Sequence, residues 1–82
     1  MKRIIYYSAP WCQPCQTLGP IMNQVSSTIH VEKINIDYEL DNARRANVSS
    51  VPTVILVEDE QEVRRFVGAR SLNDVMNFIN NG

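Results

Sequence analysis

Trp11-Cys12-Gln13-Pro14-Cys15 decides the reading of this chain of 82 residues, because it holds both of the cysteines and sets them one helical turn apart. Two thiols at that spacing can close a disulfide and reopen it. The residues before it, Arg3 to Tyr7, are branched and aromatic and stop at Ser8-Ala9-Pro10, which reads as a short buried strand. The residues after it put Leu18, Ile21, Met22 and Val25 at i, i+3, i+4 and i+7, one face of a helix from about Cys12 to Ser26. The cysteine pair therefore sits where a strand turns into a helix. Orphan backbone N–H groups and the positive end of the helix dipole at such a terminus favour a thiolate over a thiol. Cys12, exposed at the mouth of the helix, is the expected nucleophile, and Cys15, one turn further in, is the expected resolving thiol.

Outward from this stretch the pattern continues. His30 to Asp37, with Val31, Ile34 and Ile36, reads as a second strand, parallel to the first because a helix connects them. Tyr38 to Ala46 is polar, with Leu40 and Ala43 three apart and Arg44-Arg45 in its last turn, and reads as a short helix. Val51-Pro52-Thr53 leads into Val54-Ile55-Leu56-Val57, a central strand by its branched content. Glu58 to Gln61 is a turn, and Glu62 to Val67 returns as an antiparallel partner until Gly68 breaks it. Ser71 followed by Asp74 opens a last helix with an apolar face of Leu72, Val75, Met76 and Ile79. The order β-α-β-α-β-β-α, with no repeat or linker, predicts an α/β fold: a central mixed four-stranded sheet flanked by helices, in a single domain over residues 1–82.

Composition removes several function classes. The formal charge of −1 and the scattered charged residues provide no basic stripe for a phosphate backbone, which argues against nucleic acid. No apolar run nears the roughly 20 residues of a membrane-spanning helix. Lys2-Arg3 precedes too short an apolar run for a signal peptide. The expectation is a cytoplasmic monomer, in a compartment where a close cysteine pair is catalytic more often than structural.

With the motif placed at a strand-to-helix junction, the chain resembles the thioredoxin-like superfamily, and is nearer to thioredoxin than to glutaredoxin. Pro10-Trp11-Cys12-Gln13-Pro14-Cys15 is similar to the family's Trp-Cys-Gly-Pro-Cys site, and Pro20 falls at the spacing of its helix proline. Lys33-Ile34-Asn35-Ile36-Asp37 resembles its second-strand motif, Val51-Pro52-Thr53 its cis-proline loop, and Gly68-Ala69 the small residues beside its groove. From its glutaredoxin-like size the chain is expected to lack the family's first strand and helix. The resemblance implies a cis Val51–Pro52 bond facing the cysteines, with the Val51 backbone free to pair with an extended substrate segment. It also implies a groove rimmed by Pro10, Trp11, Gln13 and Pro14 and floored by Gly68 and Ala69. The implied activity is reduction of protein disulfides. No cofactor is bound and no metal is needed; electrons come from an NADPH-dependent reductase of thioredoxin-reductase type or from glutathione, and ribonucleotide reductase is one partner suggested by family habit.

Two departures stand out. Gln13 replaces the usual glycine, at a place that helps to set a reduction potential, which ranges from about −270 to −120 mV among such proteins. Tyr6 stands where thioredoxins carry a buried aspartate that helps the resolving cysteine lose its proton. Lys33, without that carboxylate as partner, is then expected to favour a nearby thiolate, so Tyr6 and Lys33 are the candidate modulators of the pair.

Plainer readings compete with the redox one. A structural disulfide closing so short a loop removes little chain entropy, and a zinc site wants four ligands where only His30 remains as a nitrogen donor. A glutathione-dependent, glutaredoxin-like reductase is an alternative, although Gly68-Ala69-Arg70-Ser71 lacks the paired glycines and aspartate that glutaredoxins use. A non-catalytic interaction subunit on the same fold is the third possibility.

Overall fold

Strand β1 (Lys2–Ser8) sends its side chains alternately into two cores, Ile4 and Tyr6 to one and Ile5 and Tyr7 to the other, as a strand in the interior of a sheet must. The structure, a computed structural model, describes residues 1–81. After β1 come helix α1 (Gln13–Val25), strand β2 (His30–Asn35), helix α2 (Leu40–Arg45), strands β3 (Thr53–Glu58) and β4 (Gln61–Val67), and helix α3 (Leu72–Asn81). The sheet runs β2-β1-β3-β4; β2 is parallel to β1, whereas β3 is antiparallel to both β1 and β4. The parallel pair requires a crossover, which α1 supplies.

Period two then sorts the interior. Ile4, Tyr6, Val54, Leu56 and Phe66 from the sheet meet Leu18, Met22 and Val25 of α1 and Val75, Phe78 and Ile79 of α3. On the opposite face Tyr7, Ile34, Ile55 and Val57 meet Ala43 of α2. Strand β3 is buried from Thr53 to Val57, covered on both sides, which explains why its sequence is an apolar run rather than an alternation. Asp59 and Glu60 both take positive φ, 52° and 69°, as the tightest hairpin turns require. Helix α3 opens with the Asp74 N–H donating to Ser71 Oγ at 3.1 Å, the cap its sequence suggested.

One expectation is corrected here. The chain does not lack the family's first strand and helix: its seven elements are the full four-stranded, three-helix thioredoxin fold, with β1 as first strand and α1 as first helix. The reason is in the sheet. Strand β1 is hydrogen-bonded on both sides, by β2 and β3, and helices cover both faces, so the core needs no further strand to close it. Chain length suggested a trimmed fold, but length does not count elements.

The short middle helix also differs in extent. It begins at Leu40 rather than Tyr38, because Asn35 holds the preceding residues in a turn: its side-chain oxygen accepts from the Asp37 N–H at 2.9 Å and its carbonyl from Tyr38 and Glu39. Tyr38 is left 87% exposed and Leu40 49%, so of the two apolar residues expected to pack from this helix only Ala43 does.

Leu18 is fully buried between α1 and the sheet. Leu18→Ala is therefore expected to lower unfolding stability by about 2–5 kcal/mol in a urea titration. Burial also pushes the Tyr6 and Tyr7 phenols above their ordinary value of 10.0. The unfolded chain loses these protons first, so the contribution of both tyrosines is complete below pH 10 and is lost as pH rises through their folded values. Spectrophotometric titration against denaturant midpoints checks this; a stability that stays level above pH 10 would contradict it.

Candidate active site

The end of β1 delivers the chain to the cysteines. Ser8 and Ala9 are still buried, Pro10 and Trp11 are exposed, and the Cys12 N–H donates to Ala9 O at 3.2 Å. Cys12 is extended, φ −94° and ψ 113°, and forms the N-cap of α1. Its Sγ takes the part usually given to a Ser, Thr or Asp oxygen: it accepts from the Cys15 N–H at 3.2 Å. Pro14 suits the first helical turn, where its missing N–H costs no intrahelical bond, and the Gln16 N–H closes the turn on Cys12 O at 3.3 Å. Cys12 and Cys15 are joined in a disulfide, with their Cα atoms 5.2 Å apart.

Both cysteines are only 5% exposed, packed with Ala9 against Ile36 and Val51. Cys12 thus sits at the mouth of the helix as its sequence suggests, but it is covered rather than exposed. Its neighbour on the facing loop is Val51, whose carbonyl oxygen lies 3.5 Å from Cys12 Sγ. In the disulfide this is a packing contact; a reduced thiol could donate its S–H to the same oxygen. The Val51–Pro52 bond is cis. Pro52 is buried, its carbonyl accepts the Gly68 N–H at 2.9 Å, and Gly68 holds φ 94°, in the region that favours glycine. Structure therefore gathers Cys12, Cys15, Val51, Pro52 and Gly68. Gln13, Pro14 and Ala69 stand exposed beside them in the chain.

Trp11 is 66% exposed and its indole N–H points at both carboxylate oxygens of Asp37, at 3.1 and 3.2 Å. The sequence does not mark Asp37 as a site residue, although it ends the second-strand motif. Nothing in spacing alone could show that a residue 26 positions away anchors Trp11.

Behind the pair lies a cavity of about 370 Å³ lined by Cys15, Tyr6, Lys33 and the polar Ser8, Gln16 and Asn35, among others. Tyr6 and Lys33 are partners in the parallel register of β1 and β2, so both side chains leave the same face of the sheet. The Tyr6 hydroxyl donates to the Cys15 carbonyl oxygen at 3.3 Å, and Lys33 is exposed on the edge strand. The structure thus brings Tyr6 to Cys15, at the place where the resemblance led one to look for a carboxylate. Gln16, which also lines this cavity, carries no signal in the sequence beyond polarity, and Asn35 carries only its place in the second-strand motif. His30 is exposed on β2, and among the described residues no group of three or more His, Cys, Asp or Glu is placed to hold a metal ion. Nor is any helix among them long and apolar enough to cross a membrane.

Comparison with known proteins agrees with this geometry. The thioredoxin family model matches residues 1–81. Thioredoxin of Chlamydia pneumoniae is 40% identical over 80 residues, 94% of this chain and 78% of that protein. A longer bifunctional thioredoxin reductase/thioredoxin of Mycobacterium leprae is 33% identical over 94% of this chain and 19% of its own length. Among solved structures, a malaria parasite thioredoxin-2 superposes with a TM-score of 0.93 at 27% identity, over 100% of this chain and 84% of that one. A paired, redox-active Cys12–Cys15 on this fold makes the chain a thiol–disulfide oxidoreductase that reduces protein disulfides, and it belongs to the thioredoxin family.

Proposed function

We propose that Cys12 is the attacking sulfur and Cys15 the resolving one, in a reductase that takes its electrons from a thioredoxin-reductase-type flavoprotein rather than from glutathione. One observation carries the assignment: Cys12 Sγ caps α1, receiving the Cys15 N–H at 3.2 Å, and faces the Val51 loop at 3.5 Å, whereas Cys15 faces the cavity behind. After reduction the Cys12 thiolate would keep that N–H and the helix terminus as its stabilising partners. Attack on a target disulfide breaks its S–S bond, forms a mixed disulfide through Cys12 and releases one target thiolate. Cys15, once deprotonated, attacks Cys12 Sγ. This re-forms the Cys12–Cys15 disulfide and expels the second target thiolate, so two electrons pass to the target. The external reductase restores the dithiol.

Val51 is well placed to guide the target. An extended segment pairing with its backbone would bring a substrate disulfide in line with Cys12, beside the exposed Trp11 and Pro10 and the small Gly68 and Ala69. The reductase as donor is supported by the family and by the relative whose name joins thioredoxin reductase and thioredoxin in one chain. Gly68-Ala69-Arg70-Ser71 provides no counterpart to the glutathione-binding loop expected of glutaredoxins. A reducing, cytoplasmic setting fits a chain whose two cysteines are both in the active pair.

The shared cavity supports a role for Tyr6 and Lys33 toward Cys15 rather than Cys12. A lysine ammonium facing the same water-accessible space would favour the charge that Cys15 must carry to resolve the mixed disulfide. Lys33→Ala is expected to slow that resolution by about two- to fivefold, the scale of an exposed charge interaction. Stopped-flow release from a preformed mixed disulfide measures it, and an unchanged rate removes Lys33 from the mechanism. Insulin reduction driven by a thioredoxin-reductase system tests the assignment as a whole. Both Cys12→Ser and Cys15→Ser should lose turnover, only Cys15→Ser should accumulate a covalent complex with substrate, and trapping by Cys12→Ser would reverse the two roles.

A further inference from the structure

Two consecutive arginines on β4 reach opposite faces of the sheet, as period two demands. Arg64 donates to the Phe78 carbonyl of α3, and Arg65 reaches the end of α2. The second of these bears on the active site. Helix α2 ends in a motif built on Asn47, at φ 58°: the Val48 N–H returns to Ala43 O at 2.9 Å and the Asn47 N–H to Arg44 O at 3.1 Å. Two carbonyls just past the helix remain to be satisfied. Arg65 takes both, Ala46 O at 2.9 Å and Asn47 O at 3.4 Å. Glu62 in turn holds the guanidinium through two bonds of 2.7 Å, and that pairing keeps the Glu62 carboxyl below its ordinary value.

These carbonyls are where the Val48–Val51 loop begins. At its far end Thr53 Oγ1 donates to Ser50 O at 2.7 Å, and the Gly68 N–H donates to Pro52 O at 2.9 Å. Strand β4 and the residue that follows it thus brace the loop at both ends, with Arg65 before it and Gly68 after it. Between the two braces lies Val51, whose carbonyl stands 3.5 Å from Cys12 Sγ.

We infer that Arg65, oriented by Glu62, is a positioning residue for the substrate-pairing loop: it fixes where the Val51 backbone stands relative to Cys12 and so sets how well an extended protein disulfide is presented. The inference rests on the reading that substrates pair with Val51. A small disulfide, which has no backbone to pair, does not draw on this brace.

The test compares wild type, Arg65→Ala and Arg65→Lys on two substrates, insulin and dithionitrobenzoate, with the protein kept reduced. For Arg65→Ala, kcat/KM for insulin should fall about three- to tenfold, while the rate of dithionitrobenzoate reduction by Cys12 stays within about twofold of wild type. Arg65→Lys, with its charge but without a planar fork to serve carboxylate and carbonyls together, should recover only part of the loss. Equal losses on both substrates would show a general effect on stability and overturn the inference, as would an unchanged rate on insulin. If Arg65→Ala does not fold, Glu62→Ala, which leaves the carbonyl bonds but frees the guanidinium, should show the same selective loss at smaller size. The reading beneath is tested separately, in the wild type. A short peptide disulfide and the same disulfide with its flanking amides N-methylated should differ in kcat/KM; if they react alike, substrates do not pair with Val51 and both readings fall.

Discussion

The bond from the Cys15 N–H to Cys12 Sγ is the contact on which the active site depends. A helix must satisfy its first N–H groups, and here one of them is satisfied by a sulfur of the redox-active disulfide. That single choice ties reactivity to secondary structure. Helix α1 can start only where Cys12 turns extended, and Cys12 turns extended because β1, locked between β2 and β3, ends at Ser8. The three residues between strand and cap, Ala9, Pro10 and Trp11, leave little freedom: Ala9 is buried, Pro10 has a fixed φ, and Trp11 is held by Asp37 from the end of the neighbouring strand.

The same sheet carries the opposing half of the site. Strand β3 starts at Thr53, one residue after the cis bond, and β4 runs beside it, so the loop that faces the cysteines is bounded by paired backbone on one side and by α2 on the other. None of these elements is long. Helix α2 is a little over a turn and a half, too short to persist alone, and is held by the Ala43 contact, by the Tyr7 hydroxyl on Asn42 Oδ1 at 2.8 Å, and by Arg65.

Much of this was legible in the sequence because it rests on periodicity and on residues with few alternatives. The 3.6-residue spacing from Leu18 to Val25 marks the buried face of α1, the unbroken Val54–Val57 run marks the doubly covered strand, and two cysteines flanking Gln-Pro mark a helix start. What stayed hidden depends on partners distant in sequence. Asp37 gives no sign that it will accept the Trp11 indole, and Glu62 and Arg65 look like solvated strand residues until the fold brings α2 beneath them. Tyr38 reads as helical because nothing in its own neighbourhood shows that Asn35 will hold the chain in a turn. All seven elements are legible in their order, but the expectation that the family's first strand and helix are missing rests on chain length, whereas whether a core closes is a property of the sheet.

The disulfide straddles two environments, so its two like atoms are not equivalent. On one side Ile36 and Val51, which also pack in the α2-facing core, cover the sulfurs; on the other, Tyr6 from the opposite core and the polar cavity meet Cys15. Both cysteines are equally buried, so exposure cannot separate them. Direction can. Cys12 Sγ faces the loop that presents Val51, 3.5 Å from its carbonyl oxygen, whereas Cys15 has water-accessible space behind it, in a cavity lined by Tyr6 and Lys33. In the proposed mechanism no carboxylate lines that cavity to take the Cys15 proton, and an ammonium only stabilises the charge left behind, so the proton passes to water or to the departing target thiolate.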